Sequence, residues 1–451
     1  MYAQDSFEKM NKIALLVKEQ GGRAYAVGGF VRDSLLGIEN KDIDIEVHGI
    51  SPEALEKILD TVGTRIEIGK SFGVYSLCGT NIDVAMPRRE TPTGTGHRDF
   101  KIDVEPFIGT ENAAKRRDFT INSIMQDILT GEIIDPFGGQ RDLKEGILRH
   151  VNDSSFAEDP LRVLRAAQFA ARFNLSVAPE TLALCKGIDI RTLSSERVME
   201  ELKKALLKAE KPSLFFESLR AMDKLSPWFG EVEKLIGVPQ STVYHKEGDV
   251  YTHTMMVLDE AAKMRDGAEE PLYFMLSALV HDFGKTTATN FYNGNYHATG
   301  HEEAGVFAAG EFLRRITNEN ALISYVLNMT ELHTKPRILA DDNSSIKASN
   351  KMFDASKNPR DLIRLSLCDG LGKIPQKPIA HAESFLNKRL ETYNEYMARP
   401  YVTGQDLINA GMEPGKDFSE LLSYAHKMRL AGVMKETALS MIMAEVRKNR
   451  G

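Results

Sequence analysis

The chain has 451 residues, of which 42% are hydrophobic and 27% are charged. Its net charge of −7 argues against indiscriminate binding along nucleic acid, although local Arg and Lys clusters can still bind RNA. This composition is ordinary for a soluble globular protein of about two to four domains, and three scattered cysteines without a CxxC pair indicate reduced thiols rather than a disulfide framework. No run approaches the ~20 apolar residues of a membrane span, so we expect a cytoplasmic protein without a membrane partner.

The first predicted elements outline a phosphate-binding turn. The apolar run Ala24 to Val27 indicates a short buried strand that ends at the pair Gly28-Gly29. Phe30 to Leu36 has helical spacing, so the free N–H groups at the start of this helix would face a phosphate above the glycines. Arg32 lies one turn into the helix, where its guanidinium could pair with the phosphate. Considered alone, an ordinary tight turn is the alternative.

The next predicted strand carries two carboxylates on one face. Asp42 to Val47 alternates polar and apolar residues, which in a strand places Asp42 and Asp44 on the same side. Two such carboxylates can share Mg²⁺, and in a two-metal site the ions lie roughly 3.5 to 4 Å apart, one activating the attacking hydroxyl and the other stabilising the leaving pyrophosphate. Asp83 lies in another alternating strand and is the predicted third carboxylate. A solvated strand face is the alternative, but the order of strand, Gly-Gly, helix and Asp-x-Asp strand favours nucleotidyl transfer.

Further along, the polar segment from Pro87 to Ala114, with Thr93 to His97 within it, is predicted to be a long functional loop, with a surface insertion as the alternative. After it, Arg116 to Ser123 begins polar and turns amphipathic, which predicts an active-site edge that continues into a helix. An N-capped surface helix is the alternative. On this segment we expect Arg117 to contact a triphosphate or sugar and Asp118 to accept a hydrogen bond from a ribose hydroxyl. Asn122 lies one turn further on, on the same face.

A predicted helix that begins near Glu158-Asp159-Pro160 carries the residues expected to choose the nucleotide. Asp159, Arg162 and Arg165 recur every three positions and form a polar row beside buried apolar residues. A carboxylate accepts from an exocyclic amino group and a neighbouring Arg donates to a ring nitrogen or carbonyl, so together they can read the Watson–Crick edge of cytosine or adenine. Uracil and guanine would mismatch. A salt-bridged surface helix is the alternative.

Between residues 28 and 162, four ordered motifs resemble those of the bacterial class II CCA-adding enzyme and poly(A) polymerase family: Gly28 to Asp33, Asp42 to Asp44, Arg116 to Asn122, and Glu158 to Arg162. The resemblance implies tRNA 3′ ends as substrates, CTP and ATP as donors, and Mg²⁺ held by Asp42 and Asp44. The chain departs from several family members at Gln168, where they carry a further Arg. The nucleotide contacts implied by the resemblance are Gly29, Arg32, Arg117, Asp159, Arg162 and Arg165.

A second chemistry is indicated by six of the eleven histidines, which lie within 89 residues: His245, His253, His281, His297, His301 and His333. An apolar helix, Leu272 to Val280, runs directly into His281 and Asp282, and Asp369 ends another apolar run. Imidazoles with carboxylates suit Mn²⁺, Fe, Ni²⁺ or Zn²⁺, and such a metal could activate water for attack on a phosphoester. For an isolated His-Asp pair, a hydrogen-bonded core pair is the alternative.

The ordered set His253, His281, Asp282 and Asp369 resembles the HD phosphohydrolase superfamily, which many bacterial CCA-adding enzymes carry as an embedded domain. This resemblance implies phosphatase or 2′,3′-cyclic phosphodiesterase action on RNA ends. His301 and His333 resemble the extra histidines of HD variants with more ligands, which implies a second metal.

Strand-like segments precede residue 150 and helical segments follow it, so we expect an α+β fold with a nucleotidyltransferase head followed by an all-helical neck, HD-type body and tail. The predicted domains are residues 1–150, 151–240, 241–395 and 396–451, the last a tail that contacts tRNA. The leading hypothesis is template-independent addition of C, C and A to tRNA. An A-adding or poly(A) polymerase of the same fold, or a metal phosphohydrolase whose head only binds nucleotide, are the alternatives.

Overall fold

A computed structural model describes residues 2–67, 73–92, 100–241 and 245–450. It divides into two compact units, Met1–Leu193 with Glu217–Lys224, and Ser194–Phe216 with Leu225–Gly451. The first unit contains a sheet flanked by helices, and the second is almost entirely helical. The α+β prediction is therefore confirmed. Every helix in the described ranges is too short or too polar to span a lipid bilayer.

The strands before residue 193 are β1 Arg23–Val27, β2 Ile43–His48, β3 Arg65–Glu67, β4 Val74–Leu77, β5 Ile82–Ala85, β6 Arg88–Pro92, β7 Phe100–Val104, β8 Met125–Asp127, β9 Ile133–Ile134, β10 Ile147–Leu148 and β11 Ser176–Val177. The helices in the same range are α1 Tyr2–Glu19, α2 Gly29–Leu35, α3 Pro52–Val62, α4 Thr110–Ala114, α5 Gly139–Glu145, α6 Asp153–Ala157, α7 Leu161–Phe173 and α8 Pro179–Gly187.

The head is built on a seven-stranded sheet with the order β3-β4-β5-β2-β1-β8-β9. Strands β2 and β5 are parallel, and Asp44 is the register partner of Asp83. The apolar residues that alternate with these acids are buried in a core shared with α1 and α3, which includes Ile45 and Val84. Because successive side chains of a strand point to opposite faces, this packing directs the acidic residues to the other face of the sheet.

The predicted turn and helix after the first strand are confirmed. Strand β1 ends at Val27, Gly28 has a φ of 65°, and α2 begins at Gly29. A positive φ is easily reached only by glycine, so Gly28 allows the chain to leave the strand and enter the helix within one residue. The predicted strand Asp42 to Val47 is also present, although it begins one residue later, at Ile43.

Two predicted elements are wrong. The segment from Pro87 to Ala114 is not one long loop, because it contains the antiparallel pair β6–β7 and the helix α4. The stretch Thr93 to His97 within it lies outside the described residues. The helix expected after Arg117 is only a three-residue 3-10 turn, Thr120–Asn122. Phe119 and Ile121 are fully buried there, as the apolar spacing predicts, but tertiary packing holds them in a short turn.

The remaining helices are α9 Ser195–Lys208, α10 Ser213–Ala221, α11 Gly230–Glu233, α12 Val250–Met264, α13 Pro271–Val280, α14 Lys285–Ala288, α15 His301–Ile316, α16 Asn320–Leu332, α17 Lys335–Asp341, α18 Ile346–Ala355, α19 Pro359–Leu371, α20 Ala380–Ala398, α21 Gly404–Asn409, α22 Phe418–Leu430 and α23 Lys435–Arg450. A short hairpin, β12 Asn290–Tyr292 and β13 Asn295–His297, lies between α14 and α15. Helices α12, α13, α16 and α19 pack against one another in the second unit.

Candidate active sites

Three carboxylates meet on the outer face of the head sheet. Asp44 on β2 lies beside Asp83 on β5, and Asp42 is exposed immediately before β2. Burial raises the pKa of Asp44; Arg117 opposes this rise, while the carboxylates of Asp83 and Asp42 add to it. Neighbouring like charges of this kind are stabilised by a shared cation, and oxygen ligands are those that Mg²⁺ prefers. This cluster of three carboxylates therefore fits a divalent metal ion.

A cavity of about 370 Å³, which we call the head cavity, lies beside these carboxylates, and both acidic and basic side chains line it. Asp44 and Asp83 are among the acids, and Arg117 and Arg162 are among the bases. A Cβ on Gly28 would lie 3.3 Å from Arg117 Nη1 and 3.7 Å from Asp44 Oδ2. The glycine thus leaves the space that a phosphate needs between a cation and a metal-binding acid.

Sequence reasoning missed Glu46, which fixes Arg117. Arg117 Nη2 donates to Glu46 Oε2 over 2.9 Å, and His48 Nε2 lies 2.9 Å from Glu46 Oε1. Although burial alone raises the pKa of Glu46, His48 and Arg117 hold it below its usual value. The signal was present in the sequence, because Glu46 continues the alternation of Asp42 and Asp44.

A hydrogen-bond network that we call the motif network joins six residues: Asn40, Arg32, Asp33, Asn122, Asp118 and Arg165. Four of them, namely Arg32, Asn122, Asp118 and Arg165, are predicted nucleotide-binding residues. Asp42 N donates to Asn40 Oδ1 (3.0 Å), and Asn40 Nδ2 donates to Asp33 Oδ2 (2.8 Å). Arg32 donates to Asp33 Oδ1 (2.7 Å) and to Asn122 Oδ1 (2.6 Å). Asn122 Nδ2 then donates to Asp118 Oδ1 (2.9 Å), whose other oxygen accepts from Arg165 Nε and Nη2 (2.8 and 2.6 Å).

This network changes the roles that can be assigned to Arg32 and Asp118. Arg32 is 4% exposed, and its guanidinium carbon lies 4.4 Å from the centroid of the Phe173 ring, so the side chain is enclosed rather than directed at a phosphate. Asp118 is also buried, and Arg165 and Asn122 occupy its oxygens. Burial alone raises the pKa of Asp118, but Arg165 and Asn122 hold it below its usual value. In this conformation both residues position their neighbours.

The predicted nucleobase row lies at the start of α7. Asp159 Oδ1 accepts from Leu161 N over 3.0 Å, so this carboxylate caps the helix. Arg162 is half-buried, lines the head cavity and donates to the carbonyls of Ser155 and Arg116. Gln168, where several family members carry Arg, is 2% exposed, and its Nε2 has no hydrogen-bond partner among the described residues.

The second unit brings the predicted metal-binding residues together in one cluster, which we call the HD cluster: His253, His281, Asp282, His301, His333 and Asp369. Two groups within it have ligand atoms that all lie within 4.8 Å of one another, namely His253 with His281 and Asp369, and Asp282 with His301 and His333. Asp282 connects the groups, because its Oδ2 lies 3.2 Å from His281 Nε2 and its Oδ1 lies 3.4 Å from His301 Nε2. Asp282 would therefore be able to contribute an oxygen to a metal ion held by either group.

The histidine rings of the HD cluster are oriented by backbone carbonyls. Nδ1 of His281, His301 and His333 lies 2.8, 2.8 and 2.7 Å from the carbonyls of residues three positions earlier. A ring that donates from Nδ1 presents a bare Nε2, which is the form that binds metal. His281 Nε2 is buried and has no hydrogen-bond partner among the described residues. This unsatisfied ring nitrogen fits a metal ion.

Three polar residues around the HD cluster were not predicted. Lys285 Nζ lies 2.7 Å from Asp282 Oδ2, and Lys373 Nζ lies 2.8 Å from Asp369 Oδ2. Burial alone raises the pKa of both aspartates, but the adjacent ammonium groups hold each pKa well below its usual value. Glu247 lies in a loop without periodicity, its side chain is fully buried, and its Oε1 lies 3.2 Å from His253 Nδ1.

Known protein families match both sites. The Poly A polymerase head domain matches residues 24–149, and the HD domain matches residues 250–372. The chain is 37% identical over 325 residues to the multifunctional CCA protein of Actinobacillus pleuropneumoniae serotype 5b (strain L20), covering 70% of this chain and 76% of that protein. It is 39% identical over 359 residues to the multifunctional CCA protein of Dechloromonas aromatica (strain RCB), covering 78% of this chain and 84% of that protein.

Solved structures share the fold at lower identity. The CCA-adding enzyme of Bacillus stearothermophilus in complex with CTP is 21% identical in sequence and superposes with a TM-score of 0.68. The match covers 99% of this chain and 98% of that one. The Thermotoga maritima CCA-adding enzyme complexed with tRNA is 22% identical in sequence and superposes with a TM-score of 0.64. The match covers 98% of this chain and 94% of that one. The fold of the entire chain is thus one that CCA-adding enzymes adopt.

Proposed function

The chain belongs to the family of multifunctional CCA proteins, and we propose that it adds C, C and A to the 3′ end of tRNA from CTP and ATP without a template. The observation that carries the proposal is the head cavity, whose lining includes Asp44 and Asp83 together with Arg117 and Arg162. A metal–triphosphate complex needs acids to hold the metal and cations to hold the phosphates, and this cavity supplies both. A cytoplasmic location goes with the proposal, because scattered thiols suit a reducing compartment.

In the proposed reaction, the tRNA 3′-hydroxyl attacks the α-phosphorus of the nucleotide and pyrophosphate leaves. Asp42 and Asp44 would hold Mg²⁺, with Asp83 completing the carboxylate group, and the bound metal would supply charge stabilisation at the reacting phosphate. Arg117, held by Glu46, would bind the triphosphate beside the space left by Gly28 and Gly29. Fixed cations that do not reorganise during the reaction stabilise the developing charge most effectively.

We assign the choice of nucleotide to the start of α7. Asp159 and Arg162 would read the base edge, and Arg165, bound to Asp118, would hold the row in place through the motif network. The arrangement suits a base with an amino group beside a ring acceptor, which cytosine and adenine share. The four predicted domains, including a tail that contacts tRNA, are part of this proposal.

At the HD cluster we propose a metal-dependent phosphatase or 2′,3′-cyclic phosphodiesterase that acts on RNA ends. Four histidines and two aspartates would hold Ni²⁺, Mn²⁺, Fe or Zn²⁺, and a metal bound there would lower the pKa of a water molecule for attack on phosphorus. Lys285 and Lys373 would offset negative charge around the phosphoester. The two activities would let one protein clear a damaged tRNA terminus and rebuild it.

The decisive experiment offers labelled CTP and ATP, separately and together, to tRNA that ends before the first C. With both nucleotides we expect a product three nucleotides longer, and with CTP alone a product two nucleotides longer. Extension by ATP alone into a long ladder would instead identify a poly(A) polymerase. The absence of any incorporation, together with hydrolysis of 2′,3′-cyclic AMP in the presence of Mn²⁺ or Ni²⁺, would identify a phosphohydrolase whose head only binds nucleotide.

A further inference from the structure

A cavity of about 180 Å³ lies beside the HD cluster, at the short hairpin β12–β13. We call it the hairpin cavity. His301 of the HD cluster lines it, as does Lys285, which contacts Asp282. A group held in this cavity would therefore lie next to the proposed metal positions. Its other lining residues include Gln240, His245, Tyr296 and His297.

Gln240, which lines this cavity, has a buried side-chain donor without a partner among the described residues. Its side-chain Oε1 accepts a hydrogen bond from Lys285 Nζ over 2.9 Å. An ammonium group can only donate, so the amide oxygen must face Lys285 and the amide nitrogen must point elsewhere. Gln240 is 7% exposed, and its Nε2 has no hydrogen-bond partner within the described part of the chain. A buried N–H group without a partner is costly, so a ligand oxygen would satisfy it.

The hairpin adds aromatic rings to one side of the cavity. Phe291 lies opposite Tyr296 across the two strands, with ring centroids 4.9 Å apart. Tyr292 stacks on His297, with ring centroids 4.0 Å apart and an interplanar angle of 24°. Tyr296 and His297 line the cavity, whereas Phe291 and Tyr292 are 63% and 49% exposed. Exposed rings on a short hairpin are suited to stacking against a nucleobase.

We propose that the hairpin cavity is a nucleotide subsite of the HD centre. The terminal ribose phosphate of an RNA 3′ end occupies the cavity and accepts a hydrogen bond from Gln240 Nε2. Its base rests on the exposed ring of Tyr292, which stacks on His297 of the cavity lining. This inference rests on the proposed phosphohydrolase function and adds recognition of a base, which a site for simple phosphoesters does not require.

The test compares two substrates, 2′,3′-cyclic AMP and glycerol 2-phosphate, which lacks a base. Tyr292→Ala should raise KM for 2′,3′-cyclic AMP at least about fivefold, because a stacked base loses its ring partner, and should leave glycerol 2-phosphate hydrolysis unchanged. Phe307→Ala is the matched control, because Phe307 is 75% exposed on α15 and does not line the cavity. Gln240→Glu keeps an oxygen for Lys285 but replaces the free donor, and should weaken both substrates.

A binding measurement separates this inference from the proposed function. In chelator-treated protein, equilibrium dialysis with 2′,3′-cyclic AMP should show weaker binding for Tyr292→Ala and Gln240→Glu than for the wild type and Phe307→Ala. If the wild type hydrolyses neither substrate with Mn²⁺ or Ni²⁺, the phosphohydrolase proposal fails, and the dialysis still decides the subsite. If it hydrolyses both and Tyr292→Ala matches Phe307→Ala in KM and binding, the nucleotide subsite is overturned.

Discussion

At the scale of single residues, Asp44 combines the features expected of a metal-binding carboxylate. It faces the head cavity, pairs in register with Asp83 and has a raised pKa caused by burial and by neighbouring acids. Asp44→Asn preserves size but removes the charge that attracts a cation. We expect nucleotide incorporation to fall by on the order of 10²- to 10³-fold, because electrostatic stabilisation of the reacting phosphate is lost. Gel assays of CTP incorporation measure this loss.

The matched control for Asp44→Asn is Glu39→Gln, which neutralises an exposed acid close in sequence. Glu39 Oε1 lies 3.8 Å from Lys41 Nζ, a long contact on the surface. This variant should incorporate CTP at the wild-type rate. Asp44→Asn should also retain tRNA binding in a filter assay. Wild-type incorporation by Asp44→Asn would remove this carboxylate from the mechanism.

Glu247 is a positioning residue for the HD cluster. Its Oε1 lies 2.7 Å from His245 Nδ1 and 3.2 Å from His253 Nδ1, and its Oε2 accepts from Ile374 N over 2.8 Å. Glu247→Gln has only one acceptor oxygen for these groups, so one N–H would face the new amide nitrogen and the His253 ring would lose its orientation. We expect metal affinity to fall about 10- to 100-fold, as measured by competition with a chelator for Mn²⁺.

Glu303→Gln serves as the control for Glu247→Gln, because Glu303 is an exposed acid on α15. Its Mn²⁺ affinity should equal that of the wild type. A purely structural role for Glu247 would lower the free energy of unfolding without changing the affinity for Mn²⁺, and that outcome would contradict the positioning role.

Residues differ in how far the sequence alone can assign them. The shared face of Asp42, Asp44 and Asp83 follows from period-two alternation, which is a local property. The enclosure of Arg32 does not, because it depends on Asn122 and on the Phe173 ring, which lie far along the chain. Glu247 was missed for a similar reason, since a loop residue has no periodicity to reveal its partners.

At the scale of elements, the motif network ties α2, the 3-10 turn and α7 together. Asn122 is its central residue, because it accepts from Arg32 and donates to Asp118. Asn122→Ala removes a partner from two buried charged groups, which should lower the free energy of unfolding by about 1–3 kcal/mol. It should also raise KM for CTP and ATP severalfold, since Asp118 holds Arg165. Urea denaturation and steady-state kinetics measure the two effects.

Asn112→Ala is the control for this prediction, because Asn112 is exposed on α4 and its side chain only donates to the Ile108 carbonyl. It should change neither the unfolding free energy nor KM by more than experimental error. If Asn122→Ala destabilises the protein but leaves KM for both nucleotides unchanged, the network supports folding and does not position α7.

Elements also differ in how well local patterns predict them. Strand β2 and helix α7 follow from apolar periodicity, and helix α13 follows from a continuous apolar run. Their predicted positions therefore agree with the structure within a few residues. The segment after Arg117 has helical spacing but forms only a 3-10 turn, because Phe119 packs between Phe156 and Phe169 from later helices. Strand β6, Arg88–Pro92, lacks apolar alternation, whereas β7, Phe100–Val104, does alternate and could have been recognised from the sequence.

At the scale of the whole molecule, the change from strands to helices near residue 150 was sufficient to predict the α+β class. The division into compact units was less accessible. Ser194–Phe216 belongs with the second unit and Glu217–Lys224 with the first, so the division falls within the single helix α10. A division inside a helix leaves no mark in composition or hydrophobic period, because it is fixed only by contacts between residues distant in sequence.

The two candidate sites share no residue and lie in different compact units, so their activities should be separable. Asp282→Asn tests this at the HD cluster, because the amide keeps an oxygen for Lys285 but removes the carboxylate charge that would hold a metal ion. We expect hydrolysis of 2′,3′-cyclic AMP to fall by on the order of 10²-fold or more, while CTP incorporation stays within about twofold of the wild type. Asp44→Asn should show the reverse pattern. Loss of both activities in either variant, with an unchanged free energy of unfolding, would mean that the sites are coupled.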